Sequence, residues 1–232
     1  MHSVAAFAAL SSLALAAAQA PVPGVTGKLG DAPITTNNPA GVTYTAFLPN
    51  SNSTGVRGYV AATSSANGTG VSFNVNLYGF PSPSLGPFLY HIHDQPVPSD
   101  GNCTGTLAHL DPFVRGEMPP CDATQPQTCQ VGDLSGKHGN ITTSPFQAAY
   151  VDLYTSTQSG IGAFLGNRSI VVHSSNTTRL TCANFTLTSG AGSNTTVTSP
   201  TGGASTVPFT GAATTSVVGM GAVAAGVLAL LL

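Results

Sequence analysis

Charge is what this chain has least of. Lys and Arg number 6, Asp and Glu 8, and charged residues make up 6% of the 232 positions. So thin a charge shell argues against an ordinary cytosolic enzyme, whose surface is rich in ionised side chains. The net charge of −2 leaves no basic footprint, so no nucleic-acid partner is expected. Helical patterning is missing too: between the two ends, no segment repeats its apolar residues at helical spacing. There are four cysteines but no Cys-x-x-Cys pair, which argues against a cysteine-held metal.

Glycine and proline are plentiful instead, at 27 and 17, with much Ser and Thr. Such a composition suits a secreted chain kept soluble by sugar. Residues 1–20 read as a secretory signal, with an apolar run over 4–18 and the small-residue sequence Ala18-Gln19-Ala20. Residues 217–232 are uncharged and mostly apolar, with nothing basic after them. That is short of the roughly 20 residues of a spanning helix. A lipid-anchor signal combines small residues, a polar spacer of roughly 8–12 and such a tail. Gly202, Gly203 and Ser205 lie before a spacer that ends at Ser216, with 211–213 as a second attachment candidate. A GPI anchor is expected, with a short membrane helix as the alternative. Asn-x-Ser/Thr sequons begin at Asn52, Asn67, Asn102, Asn140, Asn167, Asn176, Asn184 and Asn194. Asn102, next to Cys103, is the one set apart as poorly accessible. Residues 189–216 read as a Ser/Thr/Gly-rich stalk.

The middle of the chain is written in strands. Residues 42–48 and 70–78 alternate polar and apolar, with Val71, Phe73, Val75 and Leu77 on one face of the second. Residues 56–62 and 88–93 follow suit, and strands resume at 148–154, 169–173 and 180–187. Between Asp94 and about Asn140 runs a long irregular loop that holds three of the cysteines. Short strands with turn-rich connections predict an all-β fold, a Greek-key β-sandwich or flattened barrel with that loop stapled by disulfides. The expected layout is a signal at 1–20, a lead-in at 21–41, one folded domain at 42–188, then stalk and tail. Sequence alone permits three cysteine pairings. The expected one closes a small loop with Cys121–Cys129 and ties the long loop to the last strand with Cys103–Cys182.

Chemistry concentrates in histidine. His91 and His93 are two apart on one strand, so both side chains emerge on the same face. His109 lies in the long loop and His173 ends the strand at 169–173. Imidazole ligands suit Cu, Zn, Fe or Ni. His138 is left over and is expected to be a structural or surface histidine rather than a surrogate ligand.

His91-Ile-His93, Gly101-Asn-Cys103, Ala108-His-Leu-Asp-Pro112, Val131-Gly-Asp-Leu134, Val171-Val-His173 and Arg179 with Cys182 stand in one order. That order resembles the copper/zinc superoxide dismutases over about residues 42–188. The resemblance implies copper on His91, His93, His109 and His173, with His109 as the histidine that bridges to zinc in bimetallic members. It also implies the Cys103–Cys182 disulfide and a substrate-guiding Arg179. Zinc-binding members carry further histidines after the bridging one. Here Gln130 stands where one is expected, none lies between His109 and Asp133, and the chain passes from His173 to Arg179 with only five residues between. The chain therefore resembles the copper-only, GPI-anchored superoxide dismutases of fungal cell surfaces.

What that resemblance implies is an extracellular enzyme converting two superoxide anions to dioxygen and hydrogen peroxide. One copper per chain and no zinc are expected, with His109 and Arg179 catalytic and Gln130 and Asp133 orienting His109. The expected partners are superoxide, a membrane through the anchor and cell-wall glycans as an open option, with the chain a monomer. The rival reading is a cell-surface protein that binds or sequesters copper without turnover.

Overall fold

The computed structural model describes residues 26–50 and 54–190. The signal and tail, the sequons at Asn52 and Asn194, and Gly202, Gly203 and Ser205 lie outside the described residues.

The clearest alternating segment becomes β3 (Val71–Tyr78), with Val71, Phe73, Val75 and Leu77 buried and Asn74 and Tyr78 turned to solvent. It pairs on one side with β2 (Arg57–Ser64) and on the other with β5 (Phe146–Asp152). β1 (Thr43–Leu48) and β8 (Thr186–Ser189) complete a five-stranded antiparallel sheet in the order β5-β3-β2-β1-β8. β4 (Leu89–His93), β6 (Ser169–His173) and β7 (Arg179–Asn184) form a second antiparallel sheet in the order β4-β6-β7. One core joins the inner faces, including Tyr90, Ile92 and Ile170 from the smaller sheet and Val60 and Leu77 from the larger. Each large apolar side chain fully buried there contributes roughly 1.5–3 kcal/mol. The chain is the expected β-sandwich, with connections that cross repeatedly between its sheets.

Two elements differ from the sequence reading. The single strand expected over 180–187 is two, because Phe185 turns into the core and the chain crosses there from β7 to β8 in the other sheet. The long loop also contains a one-turn helix, α1 (Leu134–His138), whose N-cap Asp133 accepts from the Gly136 N–H at 2.7 Å. One turn is too short to leave a helical period in the sequence. The residues before β1 are also woven in. Asn38 Oδ1 accepts from Ser156 Oγ and the Thr157 N–H, both at 2.8 Å.

Both expected disulfides are present: Cys103–Cys182 with Cα atoms 5.7 Å apart, and Cys121–Cys129 at 5.0 Å. A buried ion pair fastens α1 from below. Lys137 Nζ lies 2.6 Å from Asp152 Oδ2 at the end of β5, and His138 Nε2 lies 2.8 Å from the same oxygen. His138 also stacks on Tyr150 at 3.9 Å. It is a structural histidine.

Asp152 has its carboxyl held far below the ordinary range. Burial alone would raise it, but the Lys137 charge and the hydrogen bonds from His138 and Lys137 together prevail. A depressed carboxyl stabilises the fold above its unfolded value near ~4, and that stability is lost as pH falls through the folded value. Asp152→Asn strands a buried ammonium and is expected to lose about 3–5 kcal/mol at neutral pH in chemical denaturation. Its stability should also fall less steeply than the native chain's on acidification below about pH 4.

Candidate metal centre

β4 is an edge of the smaller sheet, and the long loop covers that edge by backbone pairing. The Leu110 N–H donates to Ile92 O at 2.8 Å, and the Ile92 N–H donates to Gly132 O at 2.9 Å. Gly132 N–H in turn donates to Leu110 O at 2.8 Å, and Asp94 N–H donates to Ala108 O at 2.9 Å. A Cβ on Gly132 would sit 2.2 Å from Ile92 O, so only glycine permits this approach. The pairing sets His109 opposite His93. His173 arrives on β6, which is bonded to the other side of β4.

Four rings therefore meet. Ring centroids are 4.0 Å apart for His91–His109, 5.0 Å for His91–His173 and 5.3 Å for His93–His173. One nitrogen from each lies within 4.8 Å of every other. Hydrogen bonding fixes which nitrogen that is. His93 Nδ1 lies 2.9 Å from Leu107 O, and His173 Nδ1 lies 3.1 Å from Thr177 O. A carbonyl can only accept, so both Nδ1 atoms carry the proton and both Nε2 atoms are bare. His109 Nδ1 is 2.7 Å from Gln130 Oε1, and Gln130 Nε2 is 3.2 Å from Asp111 Oδ2. The Asp111 carboxylate holds the amide nitrogen towards itself, which turns Gln130 Oε1 to His109 and frees His109 Nε2. His91 is the inverted case. Its Nε2 meets Ser135 Oγ at 3.0 Å and Asp133 Oδ1 at 3.4 Å, while its buried Nδ1 has no partner.

The His93 and His173 Nε2 atoms stand 3.1 Å apart with a bare lone pair on each. Two facing lone pairs and an orphaned buried nitrogen are what a cation would satisfy. Burial first, then the neighbouring imidazoles and Arg179, hold the imidazole of His93 down at about 2 and that of His173 at about 4. Burial, then the charge of His91, also lowers that of His109. A lowered value favours the neutral ring on His93, His109 and His173, the form in which imidazole binds a metal. All-nitrogen donors fit copper among the metals that imidazole serves.

The rings form the floor of a cleft of about 850 Å³, with Arg179 on one wall and Glu117 and Met118 on another. Arg179 is fixed in place. Its guanidinium donates to Thr106 Oγ1 at 3.1 Å, to Leu107 O at 2.6 Å and to Cys103 O. Leu107 thus serves both Arg179 and His93, with its backbone at φ 60°, a region that branched side chains rarely adopt.

The structure brings His91, His93, His109, His173, Gln130, Asp133 and Arg179 around one cleft. Asp133 lies against His91 rather than His109, because α1 turns its cap that way. Sequence reasoning missed Ser135, Thr106 and Asp111. Asp111 sat in view beside His109 but carried no sign of its contact with Gln130. Asn67, Asn140, Asn167, Asn176 and Asn184 are all exposed, and Asn140 stands on the cleft wall. Asn184 is also engaged with the Val97 backbone on both sides of its amide.

No family model matches the chain. It is 49% identical over 193 residues to a cell surface Cu-only superoxide dismutase of Arthroderma benhamiae, covering 71% of this chain and 52% of that protein. It is 41% identical to the cell surface superoxide dismutase [Cu-Zn] 4 of Candida albicans, over 68% of this chain and 65% of that one. The chain thus spans about half to two thirds of the length of these relatives. Among solved structures, the Cu(II) form of Candida albicans superoxide dismutase 5 superimposes with a TM-score of 0.59 at 36% identity, covering 68% of this chain and 100% of that one.

Gln130 positions His109 without facing the cluster's bare nitrogens. Gln130→Leu should keep the fold and weaken metal binding by about 10–100-fold. Competitive Cu(II) titration against a chromophoric chelator measures it, and an unchanged affinity would remove Gln130 from the site.

Proposed function

The chain belongs to the family of fungal cell-surface superoxide dismutases that contains the copper-only enzymes, and on that premise we propose that it dismutes superoxide at a single copper. What carries this reading is the set of four imidazoles, each with its outer nitrogen committed and its inner nitrogen bare. His91 Nδ1 and the Nε2 atoms of His93, His109 and His173 would hold the metal. Copper supplies there the one-electron couple by which two superoxide anions and two protons become dioxygen and hydrogen peroxide.

The chain's own residues do the rest. Arg179, locked by three acceptors on the cleft wall, presents a fixed positive charge to a small anion entering the cleft. Gln130 keeps a proton on His109 Nδ1, so a second proton could be taken up and passed to the product only at His109 Nε2, while that atom is not holding the metal. The depth of burial around His93 and His173 keeps those ligands neutral at working pH.

No zinc stands beside the copper in this reading. The nitrogen that a bridging histidine would give to zinc is engaged with Gln130. A zinc of His109 and Asp133 alone would fall short of four ligands. The names of the relatives differ on zinc, so these residues are the support. A GPI anchor and occupied sequons on a monomer complete the picture, resting on the small residues at 202–205, the tail at 217–232 and the absent zinc site.

The test is to load the full secreted chain with copper and measure superoxide loss beside metal content. Arg179→Ala should leave copper content unchanged, lower kcat/KM by about tenfold and flatten its dependence on ionic strength. Copper bound without turnover would favour the sequestering protein.

A further inference from the structure

The outer face of the five-stranded sheet carries the two large aromatic side chains that are most exposed among the described residues. Phe47 is 64% exposed and Tyr78 42%, on strands whose inner residues build the core. Register places Phe47 opposite Tyr59, with ring centroids 6.4 Å apart. Tyr59 lies opposite Asn76 and Asn76 opposite Gln147, so rings and amides form one row across four strands. Tyr78 extends the aromatic side, capped by Arg57 at 5.3 Å. Between Tyr59, Asn74, Asn76 and Gln147 runs a shallow groove of about 320 Å³.

Two properties narrow the occupant. Arg57 is the one charged side chain that the described strands turn to this face, and it is engaged with Asn50 Oδ1 at 2.8 Å. An anionic polymer or phosphate would want a basic cluster, and a cation would want carboxylates. The amides of Asn76 and Gln147 have no partner among the described residues, although each offers two donors and an acceptor. Exposed rings beside idle amides match a ligand with an apolar C–H face and a rim of hydroxyls that both donate and accept. Partners that add a strand need a free sheet edge. This is a sheet face. A second copy of the chain would present the same polar amides to themselves, unlike the apolar centre of a homodimer interface.

We propose that this face binds a neutral polysaccharide, with sugar rings stacked on Phe47, Tyr59 and Tyr78 and hydroxyls bonded to Asn74, Asn76 and Gln147. It makes no use of the histidine cleft, so its failure leaves the copper reading untouched. The surface would hold the enzyme against a glycan matrix.

The test is depletion of the full secreted chain by suspended particles of β-glucan and of chitin, with anionic polygalacturonate as control. The neutral particles should deplete it and the control should not. Phe47→Ala with Tyr59→Ala should raise the half-saturating particle load at least tenfold, and Asn76→Ala with Gln147→Ala should do so independently. Both double variants should keep native copper content and superoxide turnover. Absence of depletion, or equal depletion of native and variant chains, overturns the proposal. Loss of binding after enzymatic removal of N-glycans overturns it as well, since the chain's own sugars would then be the contact. A mass doubling in light scattering that Phe47→Ala abolishes makes the face a self-interface and also overturns it.

Discussion

Each imidazole of the cluster has one nitrogen tied to a fixed partner, and that commitment is what leaves the other nitrogen free to take a metal. Three acceptors are Leu107 O, Thr177 O and Gln130 Oε1, and the fourth ring is met by Ser135 with Asp133. Without them the rings could rotate and exchange tautomers, and four lone pairs would not converge. The remaining architecture can be read as the means of holding those partners still. The Cys103–Cys182 disulfide anchors the turn whose carbonyls hold Arg179 and His93. Below α1, the Lys137–Asp152 pair fixes the turn that offers Ser135 and Asp133 to His91.

The same logic explains a long loop inside a small sandwich. Loops of this length are ordinarily functional or disordered. This one is ordered because its backbone pairs with the open edge of β4 through Leu110 and Gly132. Covering the edge removes an exposed strand and delivers His109 in the same step. The histidine cleft and an edge-protecting device are one structure here.

Much of this was legible in the sequence, but unevenly. The spacing of His91 and His93 announced a shared face, and the alternation of Val71, Phe73, Val75 and Leu77 announced a buried one. Periodicity reports only what a residue's near neighbours repeat. It could not show that Ile92 recruits Leu110 and Gly132, which pair across an irregular loop. Nor did it show that Asp133 serves His91, since that depends on how one helical turn points its cap. The break at Phe185 was hidden because an apolar residue continues an alternating run whether the strand goes straight or crosses sheets. The grouping of the four histidines was recoverable only when motif order was added to spacing.

The central claim is a single copper held by four imidazoles, with the outer nitrogen of His109 owned by Gln130. Its most direct test is electron paramagnetic resonance of the copper-loaded full chain carrying 15N-labelled histidine, with copper and zinc quantified in the same sample. The account predicts one copper per chain, coupling to histidine nitrogens that changes with the label, and zinc far below equimolar. Equimolar zinc, or a copper signal indifferent to the label, would contradict it.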